Sequence, residues 1–312
     1  MSSMTISAGA GLRPSVSSRQ STNELLELEA EAFRANFGRE PFVIRHSLVD
    51  HPLFSLASLV ELSKRLPEDH VKYNSGNISI SEGLYKGPKT GLSTQETIRR
   101  IEECESWMVL KFVEQDPEYS ELLDRCLDQV QSFSEAIDPG MSRREAFVFI
   151  TSPLSITPYH MDPEHNFLLQ IRGHKTINLL SAANRSMLSE QELENYFSEP
   201  HRDPEFKSEY WQRASTFELT PGLGLHFPVT VPHWVSNGKH VSISFSITFR
   251  TLALERRSIV YNVNGRLRKR GFNPAPYGQS PLRDSVKYNA FRVVRRARRL
   301  LGASLPNQSQ RY

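Results

Sequence analysis

The stretch Thr157-Pro158-Tyr159-His160-Met161-Asp162-Pro163-Glu164-His165-Asn166-Phe167-Leu168-Leu169-Gln170-Ile171-Arg172-Gly173-His174-Lys175 decides how this chain of 312 residues is read. It contains a His-x-Asp pair. On an extended backbone, residues two apart point to the same side, so His160 and Asp162 can present an imidazole and a carboxylate to one ion. Behind the pair, Asn166–Arg172 and Lys175–Leu180 read as short β-runs separated by a glycine turn.

Working outward, the same β character runs from Met141 onward, with further strands expected over Ala146–Thr151, Thr216–Leu219 and Val241–Arg250. Alternation in VSISFSIT puts Val241, Ile243, Phe245 and Ile247 on one face and Ser242, Ser244, Ser246 and Thr248 on the other. The hydroxyl face fits either solvent or the polar interior of a barrel. A third ligand has to come from elsewhere, and Phe227–Trp234 offers His233 after a proline-bounded strand, with His226 as the competitor. Two imidazoles and a carboxylate make the facial triad of non-haem Fe(II) oxygenases, which leaves three coordination positions open; zinc enzymes use related sets.

These residues resemble the JmjC and cupin-like hydroxylases, notably the asparaginyl hydroxylase that inhibits hypoxia-inducible factor. The pattern TPxHxD, then NFxxQIxG and a Lys, is filled without a gap from Thr157 to Lys175, and the spacing from Pro228 to His233 is kept. The turn that commonly reads Pro-Gly-Asp is Pro221-Gly222-Leu223-Gly224 here. The close match covers about Ala146 to Arg250. The resemblance implies a double-stranded β-helix (jelly roll, cupin/JmjC), an all-β core with helices. It also implies His160, Asp162 and His233 as iron ligands, and Thr157 and Lys175 on the distal carboxylate of 2-oxoglutarate, with Asn166 beside it. Fe(II), 2-oxoglutarate and dioxygen are the implied cofactors, and hydroxylation of an amino-acid side chain in a protein, peptide or small molecule, with release of succinate and CO2, is the implied reaction. A tyrosine that many relatives use against that carboxylate has no aligned position; Tyr73, Tyr85 and Tyr119 are the candidates. Trp234 and Tyr159 adjoin the ligands and read more readily as packing, and His165 and His174 as structural or exposed.

The flanks divide by composition. Residues 1–22, rich in Ser, Gly and Thr, read as a disordered tail; Arg13 and Arg19 among serines also fit an organelle transit segment. Residues 23–140 read as a mainly helical region packing on the barrel, with helices over Glu24–Phe37, Pro52–Leu66, near Gln95 and after Asp116-Pro117, and strands at Pro41–His46 and Trp107–Val113. The jelly-roll core is placed at 141–254, and 255–312 is a basic extension with an amphipathic helix over Asp284–Leu301. From Glu255 to Tyr312, 14 Lys or Arg stand against 2 acids, a local net of +12, so the first 254 residues carry about −9 of the whole-chain +3. The helix suggests a homodimer contact or intramolecular packing; nucleic acid is less favoured, and a DNA-binding regulator with a cupin sensor core is the alternative function. Two cysteines, Cys104 and Cys126, exclude a disulfide framework, and no apolar run reaches membrane-spanning length. A cytoplasmic protein is expected.

Overall fold

A computed structural model describes residues 24–83, 86–181, 187–199 and 204–300. The tail expected over 1–22 and the end of the basic extension, from Leu301, lie outside the described residues. The described chain starts with β1 (Leu26–Glu27), α1 (Ala30–Asn36) and β2 (Phe42–His46). The helix expected over Glu24–Phe37 is therefore cut short. Leu26 and Glu27 pair with His46 and Arg45, and the Gln129 side chain accepts from the backbone N–H groups of Leu25 and Leu26 at 3.1 and 3.0 Å. These long-range bonds override local helical preference. The helix expected over Pro52–Leu66 is likewise split: a 3-10 turn at Pro52–Phe54 gives way to α2 (Leu56–Arg65), whose first turn is capped by Ser55 accepting from Ser58 N at 3.1 Å. Then come β3 (Val71–Ser75), α3 (Thr94–Arg99), β4 (Ser106–Lys111) and α4 (Pro117–Ser134), which Asp116 caps with Pro117 at its first position.

Eight strands follow: β5 (Ser142–Thr151), β6 (Ile156–His160), β7 (His165–Arg172), β8 (Lys175–Leu179), β9 (Ser215–Leu219), β10 (Leu223–Phe227), β11 (His233–Asn237) and β12 (Ser242–Arg250). Helix α5 (Glu190–Ser198) lies between β8 and β9, and α6 (Leu252–Arg268) and α7 (Pro281–Leu300) close the described chain. One sheet runs β1-β2-β10-β7-β12-β5-β4-β3 and the other β6-β11-β8-β9. The eight strands thus divide equally between two antiparallel sheets, the topology of a double-stranded β-helix. Four N-terminal strands extend the larger sheet, so its edge is not exposed next to the barrel.

The two faces of β12 explain how the sheet is used. Val241, just before it, with Ile243, Phe245 and Ile247, packs outward beneath the helices, in one core with Phe33, Leu59, Tyr119 and Leu127. Burying each such side chain contributes about 1.5–3 kcal/mol. Ser242, Ser244, Ser246 and Thr248 are all buried on the opposite face, so the hydroxyls line the barrel interior rather than meet solvent. A smaller apolar cluster of Leu168, Ile177, Leu219, Phe227 and Val235 fills the inside between the sheets. The hairpin from β7 to β8 carries the chain from one sheet to the other at Gly173, whose φ of 73° is left-handed. A Cβ there would collide with the Val241 carbonyl oxygen. Among the described residues no helix is long and apolar enough to cross a membrane.

Candidate metal and co-substrate site

Thr157 and His160 are three residues apart, so a straight strand would send them to opposite faces. The pairing of β6 with β11 removes the conflict. His233 faces His160 and Val235 faces Thr157, so three steps on β6 match two on β11, which is a β-bulge. Pro158, with no N–H to lose from a ladder, sits inside it. Tyr159 is turned outward, with its ring 6.3 Å from that of Trp234, in an aromatic cluster with Phe206 and Tyr210. Both aromatics are packing groups, away from the cavity.

His160, Asp162 and His233 come together as the one group of its kind among the described residues, with one potential ligand atom from each lying within 4.8 Å of the others. His160 Nε2 is 3.8 Å from Asp162 Oδ1, and His233 Nε2 is 3.7 Å from Asp162 Oδ2. The Nδ1 atoms meet carbonyl oxygens, Pro158 O at 2.7 Å and Val231 O at 3.0 Å. A carbonyl only accepts, so each Nδ1 carries the hydrogen and each Nε2 offers a lone pair inward. Burial, followed by the neighbouring His160, lowers the His233 pKa to about 4, which keeps that ring neutral at ordinary pH.

The backbone around these side chains is held on both sides. Tyr196 of α5 donates its hydroxyl to Met161 O at 2.7 Å, and Thr230 N donates to Asp162 O at 2.8 Å. Thr230 has φ 64°, an uncommon conformation for a β-branched residue, and its Oγ1 accepts from Arg257 of α6 at 2.8 Å. His233 therefore follows this bent turn and opens β11; the strand expected to precede it is β10, which ends at Phe227. His226 sits on β10 but belongs to the core: it is fully buried, stacks on Phe37 and Phe167, and meets Asn166 O through Nδ1 at 2.8 Å. Burial lowers its pKa to about 3.

The cavity that opens from the triad is lined by Thr157, Asn166, Lys175, Phe149, Ile177 and Ser246. Asn166 lies beside the triad. Ser246 Oγ donates to Asn166 Oδ1 at 2.8 Å, which turns the amide NH2 toward Asp162 Oδ2 at 3.4 Å. Lys175 closes the far end. It is 4% exposed, its Nζ stands 5.5 Å from the centroid of the Phe149 ring, and desolvation lowers its pKa to about 7. No acid pairs with it among the described residues, so the cavity holds a buried cationic group suited to a carboxylate. Two imidazoles and a carboxylate at one end and an ammonium at the other fit a divalent metal and a dicarboxylate placed in line.

Trp107 was not among the residues expected here. It lines the cavity from β4 and donates Nε1–H to Thr157 Oγ1 at 2.8 Å. With an acceptor lone pair so occupied, the Thr157 hydroxyl proton is left to point at a ligand. Of the tyrosine candidates, Tyr73 bonds Leu92 O and Tyr119 bonds Leu53 O, neither lines the cavity, and Tyr85 lies outside the described residues. His165 is buried against Asp138 at 3.0 Å, and His174 is exposed.

No protein-family model matches this chain, and no curated protein matches it in sequence. Solved structures do match in fold. An X-ray structure of E. coli ycfD aligns at 17% identity with a TM-score of 0.53, over 88% of this chain and 69% of that one. A structure described as YcfD, a ribosomal oxygenase from Escherichia coli, in complex with cobalt and 2-oxoglutarate, aligns at 15% identity with a TM-score of 0.48, over 83% and 61%. This chain is thus similar in fold to E. coli ycfD, across most of its length and with few residues in common.

Proposed function

We propose that this chain is an Fe(II)- and 2-oxoglutarate-dependent oxygenase, which hydroxylates an amino-acid side chain of a protein, peptide or small molecule in the cytoplasm and releases succinate and CO2. The observation that carries this reading is a single cavity with an open-faced set of two histidines and an aspartate at one end and, at the other, the buried Lys175, which pairs with no acid among the described residues. A zinc or manganese hydrolase would use the first end and leave Lys175 without an anion.

In this reading His160, Asp162 and His233 hold the ferrous ion through two Nε2 atoms and a carboxylate. When bound, the ion supplies activation of dioxygen coupled to oxidative decarboxylation of 2-oxoglutarate. The remaining work belongs to the chain. Pro158 O and Val231 O hold both imidazoles by their Nδ1–H groups, which leaves each Nε2 directed toward the ion's position. Lys175 and the Thr157 hydroxyl receive the distal carboxylate, and its negative charge relieves the desolvation of the ammonium. Asn166 orients Asp162, while Phe149, Ile177 and Leu168 keep water from the co-substrate chain.

Anaerobic addition of Fe(II) and 2-oxoglutarate tests this. A weak visible charge-transfer band is expected, followed by succinate formation once oxygen is admitted, with both lost in His160→Ala. No band and no succinate in the wild type would overturn the reading. The prime substrate would then be sought in cell extract as a product one oxygen atom heavier, formed by wild type but not by Asp162→Ala.

A further inference from the structure

Helix α7 shows an amphipathic pattern facing the unexpected way. Of its partly or fully buried positions, Asp284, Tyr288, Phe291 and Arg295 recur at helical spacing along the face that is turned inward, flanked by Ser285 and Lys287. That face is anchored by polar contacts: Gly278 N donates to Asp284 Oδ2 at 2.8 Å, Arg256 of α6 donates to Ser285 Oγ at 2.6 Å, and Lys287 Nζ donates to Ala275 O at 3.0 Å. The large aliphatic side chains lie away from that face. Leu282, Val286, Val293 and Leu300 form one outward stripe, 76%, 61%, 68% and 81% exposed, and Val294 borders it. Phe272, 62% exposed, extends the stripe across a groove floored by Leu267 and Pro274.

Charge identifies the occupant. Between Pro281 and Leu300 the sequence has seven Lys or Arg and one acid, Asp284, which is buried on the inner face. Arg283 lies to one side of the stripe and Arg292 and Arg296 to the other, all exposed. Two copies joined stripe to stripe would set arginine against arginine with no acid to offset them, which disfavours a dimer through this helix. A nucleic acid would match the arginines but leave the apolar stripe in water. An anionic phospholipid surface matches both features, because hydrocarbon takes the stripe while the arginines reach lipid phosphates.

We infer that α7 and Phe272 form a peripheral docking surface for an anionic lipid bilayer, with the helix lying in the plane of the interface. The helix is anchored to the body by α6, so binding holds the barrel at the membrane without insertion of a span. Flotation of the full chain with vesicles of phosphatidylcholine alone, or with phosphatidylglycerol added, tests the inference. Binding is expected only to the phosphatidylglycerol vesicles and to weaken with salt. Val286→Asp/Val293→Asp and, separately, Arg292→Ala/Arg296→Ala should each reduce it by about an order of magnitude or more, with unchanged circular dichroism. These positions are exposed, so loss of fold does not confuse the result. Three outcomes would overturn the inference: no binding to either vesicle, salt-dependent RNA or DNA binding that the valine substitutions leave intact, or a dimer that they dissociate with no lipid binding.

Discussion

The indole N–H of Trp107 donates to Oγ1 of Thr157 at 2.8 Å, across 50 residues of sequence and between neighbouring elements of the cavity wall. The bond fixes which way the threonine hydroxyl turns. In Trp107→Phe the ring volume is largely kept but that restraint is lost, so the KM for 2-oxoglutarate should rise by about 3- to 10-fold, the value of one hydrogen bond, with kcat at saturation little changed. Thr157→Val should do the same, and the double variant should be no worse than the poorer single one. Additive losses would mean that Trp107 acts by shape alone.

Lys175 sets a pH dependence with a defined sign. Burial holds its pKa at about 7 in the empty cavity, below its ordinary 10.5, so above neutrality the unliganded protein carries it uncharged. A bound carboxylate favours the charged form, and binding must then take up a proton. Affinity for 2-oxoglutarate should therefore level off below about pH 7 and fall as pH rises, approaching a factor of about ten per unit. Titration calorimetry at about pH 8.5, in buffers of different ionisation enthalpy, should detect uptake of nearly one proton. Lys175→Met should abolish both the uptake and the slope.

Stability of the empty protein runs the other way. Because the folded pKa of Lys175 lies below the unfolded one, the unfolded chain binds more protons between about pH 7 and 10.5. Lysine burial therefore destabilises the fold progressively as pH falls through that window, and not further below it. Lys175→Met should raise the melting temperature at pH 7 more than at pH 10. Equal changes at both would place the ammonium in contact with water.

Much of the site was legible because its residues are close in sequence and in a strand-like register. His160 and Asp162, two apart, needed only alternation to be placed on one side, whereas Lys175, just past the Gly173 turn, was placed by the family resemblance. Other features depend on partners that a linear reading does not contain. The bulge that brings Thr157 round to the side of His160 is imposed by pairing with β11, more than seventy residues downstream. Trp107 looked like any buried strand residue until β4 was placed beside the barrel. The alternation of β12 was clear, yet a serine face has the same pattern whether it meets water or an interior; only its place between β5 and β7 decides. Leu26 and Glu27 have acceptable helical neighbours, and lose the helix to pairing with Arg45 and His46.

Ser246 acts on the metal end through Asn166. Its hydroxyl donates to Asn166 Oδ1, which keeps the amide NH2 toward Asp162. Ser246→Ala removes the reason for that orientation and frees the amide to flip. Fe(II) or Co(II) affinity should fall by about 10-fold or more, as is usual when a residue supporting a metal ligand is lost. Ser244→Ala, which removes a bond to Gln170 on the same strand face, should leave metal affinity unchanged. Equal losses in both would point to a general loosening of β12.

Gly173 is where the chain passes from one sheet to the other, and it has no room for a side chain. Its φ of 73° disfavours any Cβ, and an added Cβ would collide with Val241 O and lie 3.0 Å from Ser242 Cα, both backbone atoms that cannot move without disturbing β12. Gly173→Ala should therefore cost more than about 2 kcal/mol of stability, seen as a clear drop in the denaturant midpoint. The damage should not stay local. The turn fixes the register of β8, so a displaced β8 withdraws Lys175 from the cavity, and 2-oxoglutarate affinity should fall further than metal affinity. A variant that is destabilised but keeps full 2-oxoglutarate affinity would show that the turn supports the fold without setting the position of Lys175.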